Sequence, residues 1–354
     1  MNKYDKTYEI KLATIEDEED IMEFIDKYWK KDHILAKSKE LFEYEFKNGN
    51  NLNIVIARRR SNDDLEAILC YLPCSRSGQT QDLWGSLWKV RNEKDNMPFL
   101  GIELGKRLLE LTKATNHLGL GLNVNTTVPI RAKIFKDTCT KMRHFYMLNQ
   151  NIKEFKIAKI RQRLVETYPD DMEISNGAWL ITLKSAEDFQ ANFDIEKYEQ
   201  IPKKDYEYIK HRYYEHPIYD YHVFGIRDPE KEKCSAVIVI RPVYANERSA
   251  LRIVDYIGEQ EIFSKIGSAL EQLIIAGRYE YIDFYEHGFN SEYILKAGFV
   301  EKEEELNIIP NYFEPFVQSN VDMWVHYKPE NTLFFKADSD QDRPNVLKQK
   351  SVLS

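Results

Sequence analysis

No apolar run in this chain approaches the ~20 residues that a membrane-spanning helix requires; the longest lie near 236–240 and 273–276. The opening Met-Asn-Lys-Tyr-Asp is polar and lacks the apolar core of a secretion signal. Cysteine is scarce, with only Cys70, Cys74, Cys139 and Cys234. Cys70 and Cys74 have no second pair and no histidine cluster to complete a zinc site, so no metal is expected. Four free thiols fit a reducing, cytoplasmic location. A basic stripe is missing as well. The 58 acidic and 50 basic residues are interspersed and leave a net charge of −8, which argues against nucleic acid or an anionic membrane surface as partner. There is no Gly-x-Ser-x-Gly elbow, no Walker loop, no Gly-x-Gly-x-x-Gly after the first strand and no zincin helix. These absences disfavour a serine hydrolase, a P-loop enzyme, a dinucleotide oxidoreductase and a metalloprotease. Composition leaves the oligomeric state open.

What is present is a well-filled α/β pattern. A length of 354 residues suggests about two domains, and an apolar fraction of 43% supports a real core. Residues 8–13 alternate as a strand, and Thr14 is placed to cap a helix whose first turn is acidic. A second helix is expected near 38–46. Strands follow at 53–57, 65–72 and 82–90, then a polar loop at 91–98. Leu100, Leu104, Leu108 and Leu111 recur at helical spacing. A strand at 117–124, a helix near 128–136 and a strand near 144–148 close the unit. The second half repeats this order, with a tyrosine-rich helix at 204–214, strands at 221–226, 234–243 and 251–257, a helical stripe from Ile262 to Leu273, a strand at 279–285 and a helix at 291–297. The same separation divides Gly105 from Asn125 and Gly267 from His287, each pair spanning the long helix and the strand after it. The expected division is 1–155 and 156–330 as two units, with 331–354 as a tail that docks back on the protein.

This order, with Gly105-Lys-Arg-Leu108, Asn125, Gly267 and Tyr293-Ile-Leu-Lys-Ala-Gly-Phe299, resembles the GNAT acyltransferase superfamily. The fold implied is a mixed-sheet α/β (α+β) architecture with two GNAT-like units in tandem. Further segments, Leu87-Trp-Lys-Val90, His144-Phe-Tyr-Met147 and Asn311-Tyr-Phe-Glu-Pro-Phe316, are similar to tandem GNAT-like proteins of bacterial surface-polysaccharide loci. The resemblance implies an N-acyltransferase that uses acetyl-CoA on an amino sugar or nucleotide-linked sugar. The alternative is a pair of units without acyl-CoA activity that binds a nucleotide sugar or transfers an aminoacyl group. It also implies that Gly101, Gly105, Lys106 and Asn125 bind the cofactor, its pyrophosphate meeting the amides of a helix N-terminus. Glu103 stands where the family has a glycine, and a carboxylate there repels a pyrophosphate.

Two polar constellations carry the candidate chemistry. The first joins Trp84, Trp88 and Lys89 to Asn125, Arg143, His144 and Tyr146. Lys89 could hold phosphate, Trp88 could stack on a sugar or base, and Tyr146 could move a proton. The plainer reading puts Trp84 and Trp88 on one strand face in the core. The second is Asp283, Tyr285, Glu286, His287 and Asn290, at the end of a strand where open α/β sheets present ligand loops. Glu286 and His287, with Asp283, are the expected acid–base groups, and Tyr285 and Asn290 the substrate contacts; the plainer reading is a helix cap and a solvated turn. Tyr312 sits in a proline-stiffened loop that either faces substrate or plugs the space between the units. The tail 338–343 alternates Asp, but its sixth and twelfth positions, Arg343 and Gln349, exclude an EF-hand. It is either a solvated tail or a segment folded over a cleft.

Overall fold

The computed structural model describes residues 2–78, 82–91, 96–164, 177–303 and 306–346. The expected loop at 91–98 lies partly outside these residues. The main strands before residue 142 are β1 (Tyr8–Thr14), β2 (Asn51–Arg59), β3 (Leu65–Pro73), β4 (Leu83–Val90), β5 (His117–Leu120) and β6 (Thr138–Lys141). The main strands that follow are β7 (Arg143–Leu148), β8 (Trp179–Thr182), β9 (His222–Arg227), β10 (Ala236–Ala245), β11 (Arg248–Gly258), β12 (Tyr281–His287), β13 (Val300–Glu301), β14 (Trp324–Tyr327) and β15 (Phe334–Phe335). The principal helices are α1 (Leu100–Thr112), α2 (Gly267–Ala276) and α3 (Ser291–Lys296). None of the helices described is long and apolar enough to cross a membrane.

These strands form two mixed sheets of the same plan. The first runs β1-β2-β3-β4-β5-β14-β6 and the second β8-β9-β10-β11-β12-β7-β13, with β15 added to β12. Each has one parallel junction, β4 with β5 and β11 with β12, among antiparallel neighbours. The long helices α1 and α2 are the crossovers that a parallel junction demands. The units exchange one strand. The closing strand expected near 144–148 leaves the first half and pairs with β12, while β14 from late in the chain enters the first sheet beside β5 and β6. The two crossings happen side by side, where Met142 N–H donates to the Met323 carbonyl at 2.8 Å. Both methionines are buried in one cluster with Trp84, Leu118, Tyr208, Val254, Tyr285 and Phe334, so the units share a core. Each such side chain contributes about 1.5–3 kcal/mol on burial, which binds the units more tightly than a surface contact would.

Candidate active site

The parallel pairing of β4 and β5 lasts only from Leu83↔His117 to Gly85↔Gly119. At that point β4 bulges: Ser86 and Leu87 together stand opposite the single Cys70 of β3. A bulge bends its strand and interrupts the ladder. The extra residue also reverses the side-chain alternation. Trp84 therefore faces the shared core, 1% exposed, while Trp88 packs on the other face beside Leu100 and Leu104. The expectation that these tryptophans share a face is corrected by that one residue.

Beyond the bulge the strands diverge around a cavity of about 420 Å³, lined by Ser86, Trp88, Lys89, Asn123, Thr126 and both His117 and His326. The paired glycines are what admit the imidazoles. A Cβ on Gly85 would stand 2.7 Å from His117 Nε2, and one on Gly119 would stand 2.3 Å from His326 Nε2. His117 Nδ1 lies 3.0 Å from Arg131 Nη1. Guanidinium only donates, so Nδ1 accepts and the neutral ring carries its proton on Nε2; among the described residues that buried Nε2 has no partner. Burial, then Arg131, push the His117 pKa well down. His326 Nδ1 lies 2.9 Å from Asp137 Oδ2, off the line of a well-formed hydrogen bond, and burial holds this ring near a pKa of about 4. Arg131 Nε donates to the same carboxylate at 2.7 Å. Burial alone would raise Asp137, but His326 and Arg131 hold its pKa down.

A second cavity, of about 360 Å³, adjoins the first and shares Trp29, Gly121, Asp340 and Gln341 with it. Its walls include Tyr219, Tyr312 and Phe313, with Arg241, Arg252 and Lys336 beneath. Asp340 stands at the junction. Its Oδ2 accepts from Ser86 Oγ at 2.6 Å and from Arg343 Nη2 at 3.1 Å, and its Oδ1 accepts from Gln341 Nε2 at 2.8 Å.

The second unit repeats the device and then closes it. β11 and β12 pair only from Leu251↔Ile282 to Ile253↔Phe284, and β11 bulges at Val254. The tail occupies the mouth: β15 pairs Phe335 with Glu286 and Phe334 with His287, and Ala337 N–H donates to the Val254 carbonyl at 2.8 Å. Phe335 stacks on Phe284 at 5.7 Å. Lys204 Nζ then bridges Asp255 and Asp338 at 2.6 and 2.7 Å, all three buried.

The residues singled out from sequence fall into three groups. Trp88 and Lys89 line the first cavity, and Tyr312 lines the second. Asn125 is exposed two residues past the cavity-lining Asn123, and Lys106 is exposed on α1. Gly101 lies against Trp88, and Gly105 against Phe135, whose ring would meet an added Cβ at 2.7 Å. The Glu103 charge is answered locally: its Oε1 accepts from Asn2 Nδ2 at 2.7 Å and Arg107 Nε at 3.0 Å. The remaining residues lie in or beside the second sheet and line neither cavity. Because β7 crosses over, His144 and Tyr146 leave the first constellation and join Asp283 and Tyr285. Asp283 accepts from Arg252 at 2.9 and 2.7 Å and lies 3.0 Å from His144 Nε2, and His144 stacks on Tyr285 at 3.7 Å. Burial would raise the Asp283 pKa, but Arg252 and His144 hold it down. Tyr146 Oη accepts from Asn307 Nδ2 at 2.8 Å. Glu286 accepts from the Phe289 amide at 2.9 Å, and burial lifts its pKa to about 7. His287 packs against Tyr327, and Asn290 caps α3 by accepting from the Glu292 amide at 3.0 Å.

No protein-family model matches the sequence, and a comparison with curated proteins finds no match. Solved structures do match in shape. A conserved protein of unknown function from Enterococcus faecalis V583, described as a probable N-acyltransferase, is 10% identical and aligns over 90% of this chain and 72% of its own, with a TM-score of 0.52. A GCN5-related N-acetyltransferase from Anabaena variabilis is 11% identical over 90% and 72%, at 0.49. Saccharomyces cerevisiae N-myristoyltransferase with bound myristoyl-CoA is 12% identical over 97% and 85%, at 0.46. The likeness is one of fold. The strand order of both sheets shows two mixed-sheet α/β units of one plan in tandem.

Proposed function

We propose that this chain is an N-acyltransferase in which the first unit takes an acyl-CoA donor and the second cavity takes an amine acceptor. The observation that carries this reading is the continuity of the two cavities at Asp340, with an open, bulged mouth on one side only. The donor set fits: Lys89 and Trp88 on one wall, the α1 N-terminus behind them, a glycine-floored channel, and a Glu103 already neutralised by Arg107. A bound acyl-CoA supplies an activated acyl group as a thioester. The chain does the rest. Backbone amides of the Ser86–Leu87 bulge polarise the acyl carbonyl. Asp340, held by Ser86 and Gln341, would take the proton that the acceptor amine loses when the C–N bond forms, and could pass it to the CoA thiolate released as the thioester C–S bond breaks. Buried, neutral His117 and His326 line the cavity without adding charge to it. The second unit, sealed by its own tail, supplies acceptor walls in place of a second donor site. Tyr219, Tyr312 and Phe313 offer rings of the kind on which a sugar or base stacks, which keeps an amino sugar or nucleotide-linked sugar as the acceptor and a cytoplasmic glycan-building step as the setting.

Calorimetric titration with acetyl-CoA and with a longer acyl-CoA tests the reading. Binding is expected to the wild-type chain and not to Ser86→Phe, whose ring would fill the first cavity. An absence of heat with both donors in the wild-type chain would end it.

A further inference from the structure

The second cavity carries an imbalance that the fold alone does not explain. Five cations line it, Lys30, Arg241, Arg252, Lys336 and Arg343, against three carboxylates, Glu314, Asp340 and Asp342. Three of the cations are fully matched. Arg241 grips Asp342 at 3.0 and 2.6 Å, Arg252 grips Asp283 at 2.9 and 2.7 Å, and Arg343 meets Glu45 at 2.6 Å and Asp340 at 3.1 Å. Lys30 lies at the rim, where water serves it. Lys336 has neither advantage. It is 2% exposed, and its ammonium donates to the Gln341 carbonyl; among the described residues no carboxylate comes within ion-pair distance of it.

We infer that the second cavity is an oxyanion site in which Lys336 receives a phosphate or carboxylate group of the bound molecule. Desolvating an ammonium without a counter-charge is costly, and a purely structural position could be filled by methionine, which keeps the stem and removes that cost. The position instead combines a buried amine, an open cavity beside it and aromatic walls able to hold the body of a ligand. On the acyltransferase reading, this makes the acceptor an anionic amine. The groups facing Lys336 are Arg252 on β11, Arg241 on β10, Asp342 in the tail and Asp283 on β12. Burial, then Arg252, lower its pKa to about 7, and the two carboxylates restore only part of the loss. At pH 8 most of these side chains are therefore neutral. An oxyanion placed at Nζ favours the charged form, so binding draws a proton from solution.

The test uses the full chain at pH 8, titrated calorimetrically with inorganic phosphate and separately with acetate, in two buffers of different ionisation enthalpy. Heat from at least one anion is expected, with uptake of a substantial fraction of one proton, and the stronger of the two identifies phosphate or carboxylate as the group. Lys336→Met is expected to weaken that binding by about tenfold to a hundredfold while leaving acetyl-CoA affinity unchanged. Binding of neither anion, binding without proton uptake, or equal affinity in Lys336→Met would overturn the inference. Proton uptake in the wild-type chain decides the matter even if the variant does not fold. Anion binding without acetyl-CoA binding leaves this site standing and removes the acyltransferase reading; the converse does the opposite.

Discussion

The two units build the same mouth and treat it differently. Each ends a parallel junction after three residue pairs, and each places a bulge on the strand that precedes it, at Ser86–Leu87 in one and Val254 in the other. In the first unit the space beyond the bulge is a cavity floored by glycines and imidazoles. In the second, Phe334, Phe335, Ala337 and Asp338 fill it, each 0% exposed. The tail then continues across to the first mouth, where Ser339 Oγ donates to the Gly85 carbonyl at 2.6 Å and Asp340 meets Ser86. One short segment therefore seals one mouth and furnishes the other. On the proposed reading, a duplicated fold becomes a single site when one copy's opening is converted into core.

If the second mouth is core, emptying it should be costly. Phe335→Ala is expected to lose about 3–5 kcal/mol of stability in urea unfolding, the range for a large buried ring. Ser86→Ala, which removes one hydrogen bond at the open mouth, is expected to lose about 1 kcal/mol. A loss below about 1 kcal/mol for Phe335→Ala would mean that the tail is a detachable cover and that the two mouths are alike.

The mouths should also answer acid with opposite signs. Burial raises Glu286 to about 7, and burial, against Lys204, raises Asp338 to about 6. Between their ordinary carboxylate values and these, the folded state holds protons that the unfolded chain has released. Their contribution is therefore complete in acid and lost as pH rises towards 7. At the first mouth burial lowers His326 to about 4 from its usual 6.5, so the unfolded chain binds the proton that the folded chain excludes. That contribution is present above about 6.5 and lost as pH falls towards 4. Unfolding midpoints across pH 4–8 should show Glu286→Gln removing a decline towards neutral pH, on the order of 3 kcal/mol at most, and His326→Gln removing a decline towards acid. Slopes that change in the same direction in both variants would erase the distinction.

Much of this was legible in the residues. The order of strands and helices and the doubled unit follow from periodicity and motif; the repeat expected around Gly105 and Gly267 does not hold in detail, since Gly105 lies in the middle of α1 and Gly267 opens α2. Which sheet a strand joins does not follow from periodicity. His144-Phe-Tyr-Met147 reads as a strand wherever it lies, and its partner Tyr281–His287 comes far later in the chain. The floor of the open mouth was hidden for a related reason. His117 and His326 are remote in sequence, and the signal that joins them is the pair Gly85 and Gly119, visible only once β4 and β5 are set side by side. Dense polarity has a structural account of its own here. Asp283 and Glu286 cluster because a buried strand needs Arg252 and the Phe289 amide to satisfy them, whereas Asp340 and Lys336 sit in a stretch whose acidic alternation resembles a solvated tail.

Asn290 offers the smallest and cleanest separation of the two mouths. As a group aimed at ligand beside the second mouth, it would alter acceptor binding when removed. As the cap of α3 its side-chain Oδ1 accepts from the Glu292 amide, while its backbone N–H donates to Gln260 Oε1 at 2.8 Å, and both contacts are with the protein. Capping asparagine is worth about 1 kcal/mol over alanine, and aspartate or serine caps nearly as well. Asn290→Ala is therefore expected to lower the unfolding free energy by about 1 kcal/mol, with Asn290→Asp restoring most of it. On the acyltransferase reading proposed above, the KM for acceptor should be the same in all three proteins, because the cap lines neither cavity. A rise in that KM for Asn290→Ala without recovery in Asn290→Asp would show that the second mouth still takes part in binding, and that sealing by the tail is incomplete.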